Sequence, residues 1–323
     1  MSILFNLMRS AVDYAGLFPP ASLPIAEVVA NYSNYLKSAE RAMLGRLIVP
    51  ALSLEDFKLA AASLIPNDSV TPAWRISALL PPVEIQPGSL DTRKFDSAIE
   101  AIYTFNQHYH SNQNVGAVVD CIEVKTSSIE ALNASVERLP TGISSFLEIP
   151  DLTNPTPMIA AIAQVPNEKK VFAKVRTGGV TPDLVPMARN VARFIRSCAS
   201  HGVGFKATAG LHHPIRAQYR LTYQSDSPVS YLFGFLNVFV AAMIAFEHDV
   251  SEDVLEEILT TEDASRFGFD QNQLAWDDLA VKGDRVDSIR EQGIVSFGSC
   301  SFVEPTTELH QLPNVSFESV FSN

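Results

Sequence analysis

The chain is poor in cysteine and in positive charge. Only three cysteines occur in 323 residues, Cys121, Cys198 and Cys300, far apart and without a CxxC pair. That excludes a zinc knuckle and a disulfide framework. Basic residues number 24 against 36 acidic ones, a formal charge of −12. No nucleic-acid partner and no anionic membrane surface is therefore expected, although a basic pocket can sit inside an acidic shell. The longest apolar stretch, Tyr231 to Phe246, contains Gly234 and Asn237 and falls short of the roughly 20 residues a bilayer span needs. Being apolar nearly all round, it is expected to form a buried helix or the interface of a homo-oligomer. Met1 to Arg9 shows no basic start followed by a long apolar core, so no signal peptide is expected and a cytoplasmic location is. GxGxxG and GxxxxGKS motifs are also missing, which removes the dinucleotide-fold and P-loop readings. No cofactor is expected.

What is present is a regular alternation. With 46% hydrophobic residues the chain can bury a large core, as one big α/β domain or two smaller ones. Proline, glycine and polar clusters punctuate seven apolar runs that read as strands. They are Arg46 to Ala51, Arg75 to Leu80, Gly116 to Lys125, Ser145 to Ile149, Val171 to Thr177, Phe205 to Thr208 and Gly293 to Phe302. Helical patterns lie between them, among them Leu54 to Leu64, Thr92 to His108 and Pro182 to Ser200. This is the rhythm of βα units and implies a parallel sheet.

The strands themselves choose between a barrel and an open sheet. Glu123, Lys125, Glu148, Lys174, Arg176, Lys206 and Thr208 share one face near the strand ends, while alternates such as Ile122, Leu147, Ala173 and Phe205 are apolar. An open doubly wound sheet is covered on both faces and needs apolar residues on both, whereas a barrel accommodates a polar layer inside its top. The chain is read as a (β/α)8 TIM-like barrel over residues 45–323, with a C-terminal extension. An N-terminal helical cap is expected at residues 1–44, with Asp13 to Pro20 as a loop. The strand missing from the count of eight is expected between Val250 and Lys282, where the barrel would be distorted or closed by a hairpin.

Gly204 to Pro214, Gly-Phe-Lys-Ala-Thr-Ala-Gly-Leu-His-His-Pro, is the stretch richest in chemistry. Lys206 interrupts a buried strand, where desolvating an ammonium is costly unless something compensates. Lys174 and Arg176 on the preceding strand would lower its pKa, leaving a neutral amine able to attack a carbonyl. The competing reading is a lysine satisfied by Glu148 or Glu123 in a buried ion pair. The run Phe205-Lys206-Ala207-Thr208-Ala209-Gly210 resembles the strand that bears the Schiff-base lysine in class I barrel aldolases of the deoxyribose-phosphate aldolase type. That resemblance implies Lys206 as the Schiff-base residue of a carbon–carbon lyase or isomerase.

Other candidates surround it. Glu148 or His212 would move protons, and Lys174 would tune Lys206. Lys125, Lys174, Arg176 and Lys206 form a positive set suited to a small anionic metabolite, carboxylated or phosphorylated. Glu123, Thr208 and His213 would join the binding site. Gly178 and Gly179 after Arg176, and Ser299 and Ser301 around Cys300, would offer backbone amides to the anion. Cys300 is a candidate nucleophile by its small neighbours and strand-end position, but no base lies beside it in sequence, and cysteine is more often a packing residue. Two further readings stand beside the lysine enzyme. One is a metal-dependent hydrolase or isomerase with Glu123, Glu148 and His212 or His213 as ligands, although no HxH or HExxH spacing supports it. The other is a non-catalytic anion-binding barrel.

Overall fold

The seven apolar runs are strands, and an eighth completes them. The computed structural model of the chain describes residues 3–66, 71–86, 88–111 and 116–312. The barrel strands are β1 (Val12–Tyr14), β2 (Leu44–Pro50), β3 (Trp74–Leu80), β4 (Ala117–Lys125), β5 (Ser144–Glu148), β6 (Val171–Arg176), β7 (Phe205–Thr208) and β8 (Ile294–Ser299). They follow one another around the ring in chain order, all parallel, and β8 pairs with β1 to close it. Helices such as Arg93–Ser111, Ile129–Arg138 and Ala188–His201 run between consecutive strands, as parallel connections require. The period-2 pattern sorts the sides: Ile122, Val124, Leu147, Ala173, Val175 and Ala207 are all fully buried on the outward face, under the helices.

The missing strand lies at the N-terminus, and this corrects the expected order. Val12 to Tyr14, read as the edge of a cap loop, is β1, with Val12 opposite Phe297, Asp13 opposite Gly298 and Tyr14 opposite Ser299. Three residues with an aspartate in the middle carry too little periodicity to be seen as a strand. Tertiary pairing supplies what propensity does not, since Asp13 Oδ1 accepts a 2.7 Å hydrogen bond from the Arg46 backbone N–H of β2. Gly45 permits that approach: a Cβ there would stand 2.4 Å from Asp13 Oδ1. Residues 1–44 therefore contribute a barrel strand in addition to the helices Ile3–Met8 and Ile25–Tyr35.

The segment expected to hold the missing strand is the long excursion between β7 and β8. It contains an antiparallel hairpin (Ala217–Arg220 with Val229–Leu232), the helices Phe235–Glu247 and Glu252–Thr260, and a separate three-stranded antiparallel sheet over Phe267–Phe269, Gln273–Trp276 and Leu279–Lys282. The sheet stands outside the barrel, so no strand or hairpin from this segment enters the ring; β7 pairs directly with β8, with one register shift between Ile294 and Phe297. The C-terminal extension lies, from residue 313 on, outside the described residues. Among those residues no helix is long and apolar enough to cross a membrane.

The apolar stretch Tyr231 to Phe246 splits into a strand and the helix Phe235–Glu247, which is buried from Phe235 to Ile244. Phe235 and Phe239 pack on Phe297 of β8, the first stacked at 5.1 Å and the second edge-on at 5.8 Å. Its faces are covered within the chain. Asn237, the polar exception, accepts from the Arg216 N–H at 2.9 Å and donates to the Ile258 and Thr261 carbonyls, both at 2.8 Å. It ties the loop after β7 to the helix that follows. Asn237→Leu should orphan the Arg216 N–H and the Thr261 carbonyl, while the Ile258 carbonyl keeps the Thr261 N–H at 3.3 Å. At about 1–3 kcal/mol for each orphan, it should lower unfolding stability by roughly 2–6 kcal/mol. Urea denaturation checks this, and an unchanged midpoint would show that water or relaxation replaces those bonds.

Candidate active site at the barrel mouth

Charged side chains fill the inside of the barrel in an alternating stack. Lys206 Nζ lies 2.6 Å from Asp13 Oδ2 and 2.7 Å from Glu123 Oε1. Glu123 Oε2 is 2.9 Å from Lys174 Nζ, which stands 3.0 Å from Glu148 Oε2, and Glu148 Oε1 is 3.4 Å from Arg176 Nε. Register produces this order: Glu148 is opposite Lys174 across β5 and β6, and Lys174 is opposite Lys206 across β6 and β7. Hydroxyls complete the set, Ser296 donating to Asp13 at 2.6 Å and Ser77 to Glu123 at 2.8 Å. Three cations meet three carboxylates, so the stack is neutral as a unit.

The expected basicity of Lys206 is reversed. Burial alone would favour its neutral form, but the Asp13 and Glu123 carboxylates outweigh burial and raise its pKa above the ordinary value. Lys206 has no exposed surface and lies beneath the cavity, with its ammonium 5.6 Å over the Phe146 ring. It meets the ion-pair reading, with Asp13 as the partner that sequence reasoning missed. Lys174 is likewise raised, burial being outweighed by Glu123 and Glu148. Burial would raise the pKa of Glu123 and Glu148. The neighbouring cations prevail, Lys206 and Lys174 for the first and Lys174 and Arg176 for the second, and both stay below the usual carboxylate range.

Above the stack opens a cavity of about 650 Å³ at the C-terminal ends of the strands. Ile48, Leu79, Glu123, Lys174, Thr208 and Gly298 line it from the strands, and Lys125, Arg176, Gly179, His212 and His213 from their ends and loops. Of the expected residues, Glu123, Lys125, Lys174, Arg176, Gly179, Thr208, His212 and His213 thus line one cavity. Others serve the scaffold. Gly178 crosses Gly210 so closely that a Cβ on it would lie 2.8 Å from Gly210 Cα, so it allows two loops to pass. The Ser299 carbonyl accepts from Ala15 N–H at 2.7 Å, and Ser301 Oγ accepts from the Glu304 N–H at 3.2 Å. Of the amides expected to cradle an anion there, the Ser301 N–H donates to Ser299 Oγ at 3.4 Å. Glu148 is set behind Arg176, as its counterion.

The two histidines turn away from the glutamates of the stack. His213 stacks on Tyr219 with ring centroids 3.4 Å apart, and its Nδ1 sits 2.8 Å from Glu308. His212 Nδ1 is 3.0 Å from Glu304 Oε2, and its Nε2 is 3.9 Å from Cys300 Sγ. The metal reading loses its ligand set: among the described residues no three His, Cys, Asp or Glu side chains converge to hold a metal ion. Cys300 gains the base that its sequence neighbourhood lacked. Burial would raise its thiol pKa, but His212 and the Tyr223 hydroxyl outweigh that and lower it. Burial would lower the His212 pKa, and its bonds to Cys300 and Glu304 raise it to about 9. Compared with known proteins, the chain matches no family model, and no curated protein is significantly similar to it.

The stack makes stability depend on pH with a definite sign. Carboxylates held below their ordinary pKa, 4.5 for glutamate, contribute fully above that pH and lose their contribution as pH falls below it. The urea midpoint is expected to hold from neutrality to roughly pH 5 and then decline. Lys206→Met, which leaves Asp13 buried without its ammonium, should cost about 3–5 kcal/mol at pH 7 and make the acid decline shallower, because Glu123 is then held less far below its ordinary pKa. A midpoint that stays level down to pH 3, or a Lys206→Met protein as stable as the parent, would contradict this account.

Proposed function

We propose that the chain is an enzyme whose barrel mouth takes a small anionic carbonyl compound, carboxylated or phosphorylated. One observation carries the reading. The protein is strongly acidic, yet the charged side chains lining the cavity are four basic, Lys125, Lys174, Arg176 and Arg220, against two acidic, Glu123 and Glu304. A locally basic, partly apolar recess at the C-terminal face of a (β/α)8 barrel is where this fold carries its chemistry.

Lys125 and Arg176 hold the anionic group, and Lys174, kept cationic by its two carboxylates, polarises the ligand from the cavity floor. His212 moves protons. Lys206 enters this reading as a buried counterion rather than as the Schiff-base amine, because iminium formation needs a neutral amine open to the ligand. Carbon–carbon lyase chemistry through Lys206 is thus the weaker form of the proposal. The non-catalytic reading shares the same pocket, and the thiol–imidazole contact on its wall favours the enzyme.

Calorimetric titration with small keto acids and sugar phosphates, beside their uncharged methyl esters and dephosphorylated counterparts, tests the pocket. Anionic ligands are expected to bind, and Arg176→Ala to weaken them about 10–100-fold, the worth of one charged hydrogen bond. Neutral counterparts binding equally well would overturn the reading. Borohydride added to the same mixtures is expected to leave Lys206 unmodified. A reduced adduct on Lys206, found by peptide mass spectrometry, would restore the Schiff-base lyase.

A further inference from the structure

We infer that Cys300, His212 and Glu304 form a thiol–imidazole–carboxylate array that transfers acyl groups from small anionic esters or thioesters through a thioester on Cys300. The inference rests on the anionic-ligand reading of the cavity and adds the reacting group.

Three separate elements build the array. Cys300 immediately follows β8, His212 lies in the loop after β7, and Glu304 is in the first turn of the helix Val303–His310. The imidazole stands between the other two, Nε2 at 3.9 Å from Sγ and Nδ1 at 3.0 Å from Glu304 Oε2. This is the nucleophile, base and orienting carboxylate relation, recognised by geometry and roles rather than by order in the chain. The Tyr223 hydroxyl, 3.2 Å from Glu304 Oε2 and 3.5 Å from Sγ, braces it from the hairpin side. Cys300 belongs to the cavity wall, on the same recess as Lys174 and Arg176. The other two thiols are fully buried in the core, and burial raises both above the ordinary thiol pKa. Of the three cysteines, Cys300 alone is placed to react.

The steps balance without an oxidant or a metal. The Cys300 thiolate attacks the acyl carbon and forms a C–S bond. The bond from that carbon to the leaving oxygen or sulfur breaks, and the leaving atom takes its electron pair and the Nε2 proton of His212. An alcohol or thiol departs and a thioester remains. Neutral His212 then takes a proton from water as the oxygen attacks the thioester carbon. The C–S bond breaks with its pair on sulfur, which restores the thiolate–imidazolium pair and releases the acid. Glu304 bonds the far nitrogen of the imidazole and acts as a positioning residue: it holds the ring so that Nε2 faces Sγ.

Mono-4-nitrophenyl succinate supplies an ester and a carboxylate in one small probe. Mixed with the full chain, it is expected to give a nitrophenolate burst and a single succinyl adduct on the Cys300 peptide. Cys300→Ala should abolish the burst and lower turnover at least about 1,000-fold, with thermal unfolding recorded to establish that it folds. Glu304→Gln should shift the alkaline limb of the pH–rate profile to lower pH, since that limb reports loss of the imidazolium proton. A merely structural role would leave the limb in place. Acylation on another residue, or full turnover by folded Cys300→Ala, would overturn the inference. If no acylation occurs while calorimetry still shows Arg176-dependent binding of keto acids, the thiol array is wrong and the anion pocket stands. If neither is seen, both fall.

Discussion

The contact between Lys206 and the carboxylates of Asp13 and Glu123 is the constraint on which this barrel's interior depends. An ammonium with no exposed surface is tolerable only if its charge is met at hydrogen-bond distance. Meeting it takes a residue from β1 and another from β4, at 2.6 and 2.7 Å. β1 is only three residues long, and its central aspartate binds both neighbouring strands, through the Arg46 backbone N–H of β2 and the Ser296 hydroxyl of β8. The barrel is thus closed at its weakest strand by a charge network as much as by backbone pairing.

That network also orders what lies above it. Glu123 serves Lys206 with one oxygen and Lys174 with the other, so the charge of each lysine is fixed by a neighbour one layer away. The stack uses three of the six basic residues on the barrel strands, and it delivers Lys174 as a cation to the cavity floor. The thiol group Cys300 and its imidazole stand on the β8 side of the same mouth, bonded to Glu304 and Tyr223 rather than to the stack. Two electrostatic units, one buried and neutral and one polarised at the rim, share a single recess.

Much of this was legible in the sequence, and the failures have physical causes. Runs such as Val171 to Arg176 show their period of two plainly, with Ala173 and Val175 outward and Lys174 and Arg176 inward, which is why a polar interior and a barrel could be read together. β1 could not, because Val-Asp-Tyr becomes a strand only between β2 and β8, the second almost 300 residues away. Lys206 stood out because ammonium on a buried strand is costly, but the sign of its pKa shift depended on Asp13, whose position inside the ring no spacing rule reveals. The loop histidines were found by their neighbours, whereas the Cys300 array joins residues 88 positions apart and becomes visible only when β7 and β8 lie side by side. A cysteine at a strand end beside small residues was the one available signal.

The charged stack invites comparison with an apolar filling of the same space. Buried ion pairs are often no more stabilising than well-packed hydrophobic residues of similar volume, while breaking one partner is expensive. Stability alone therefore gives no reason to prefer Lys206, Glu123 and Lys174 over leucine and isoleucine, which fill the interiors of many barrels. What an apolar filling cannot do is hold a cation of fixed charge and position at the bottom of the recess. Lys174 is buried, so a lone ammonium there would be driven toward its neutral form. With Glu123 on one side and Glu148 on the other it remains charged, and Lys206 in turn keeps Glu123 ionised. On the proposed reading of the mouth, the interior carboxylates and Lys206 are the support that lets one lysine face an anionic ligand as a permanent cation, and the fold accepts a costly interior in exchange for that fixed charge.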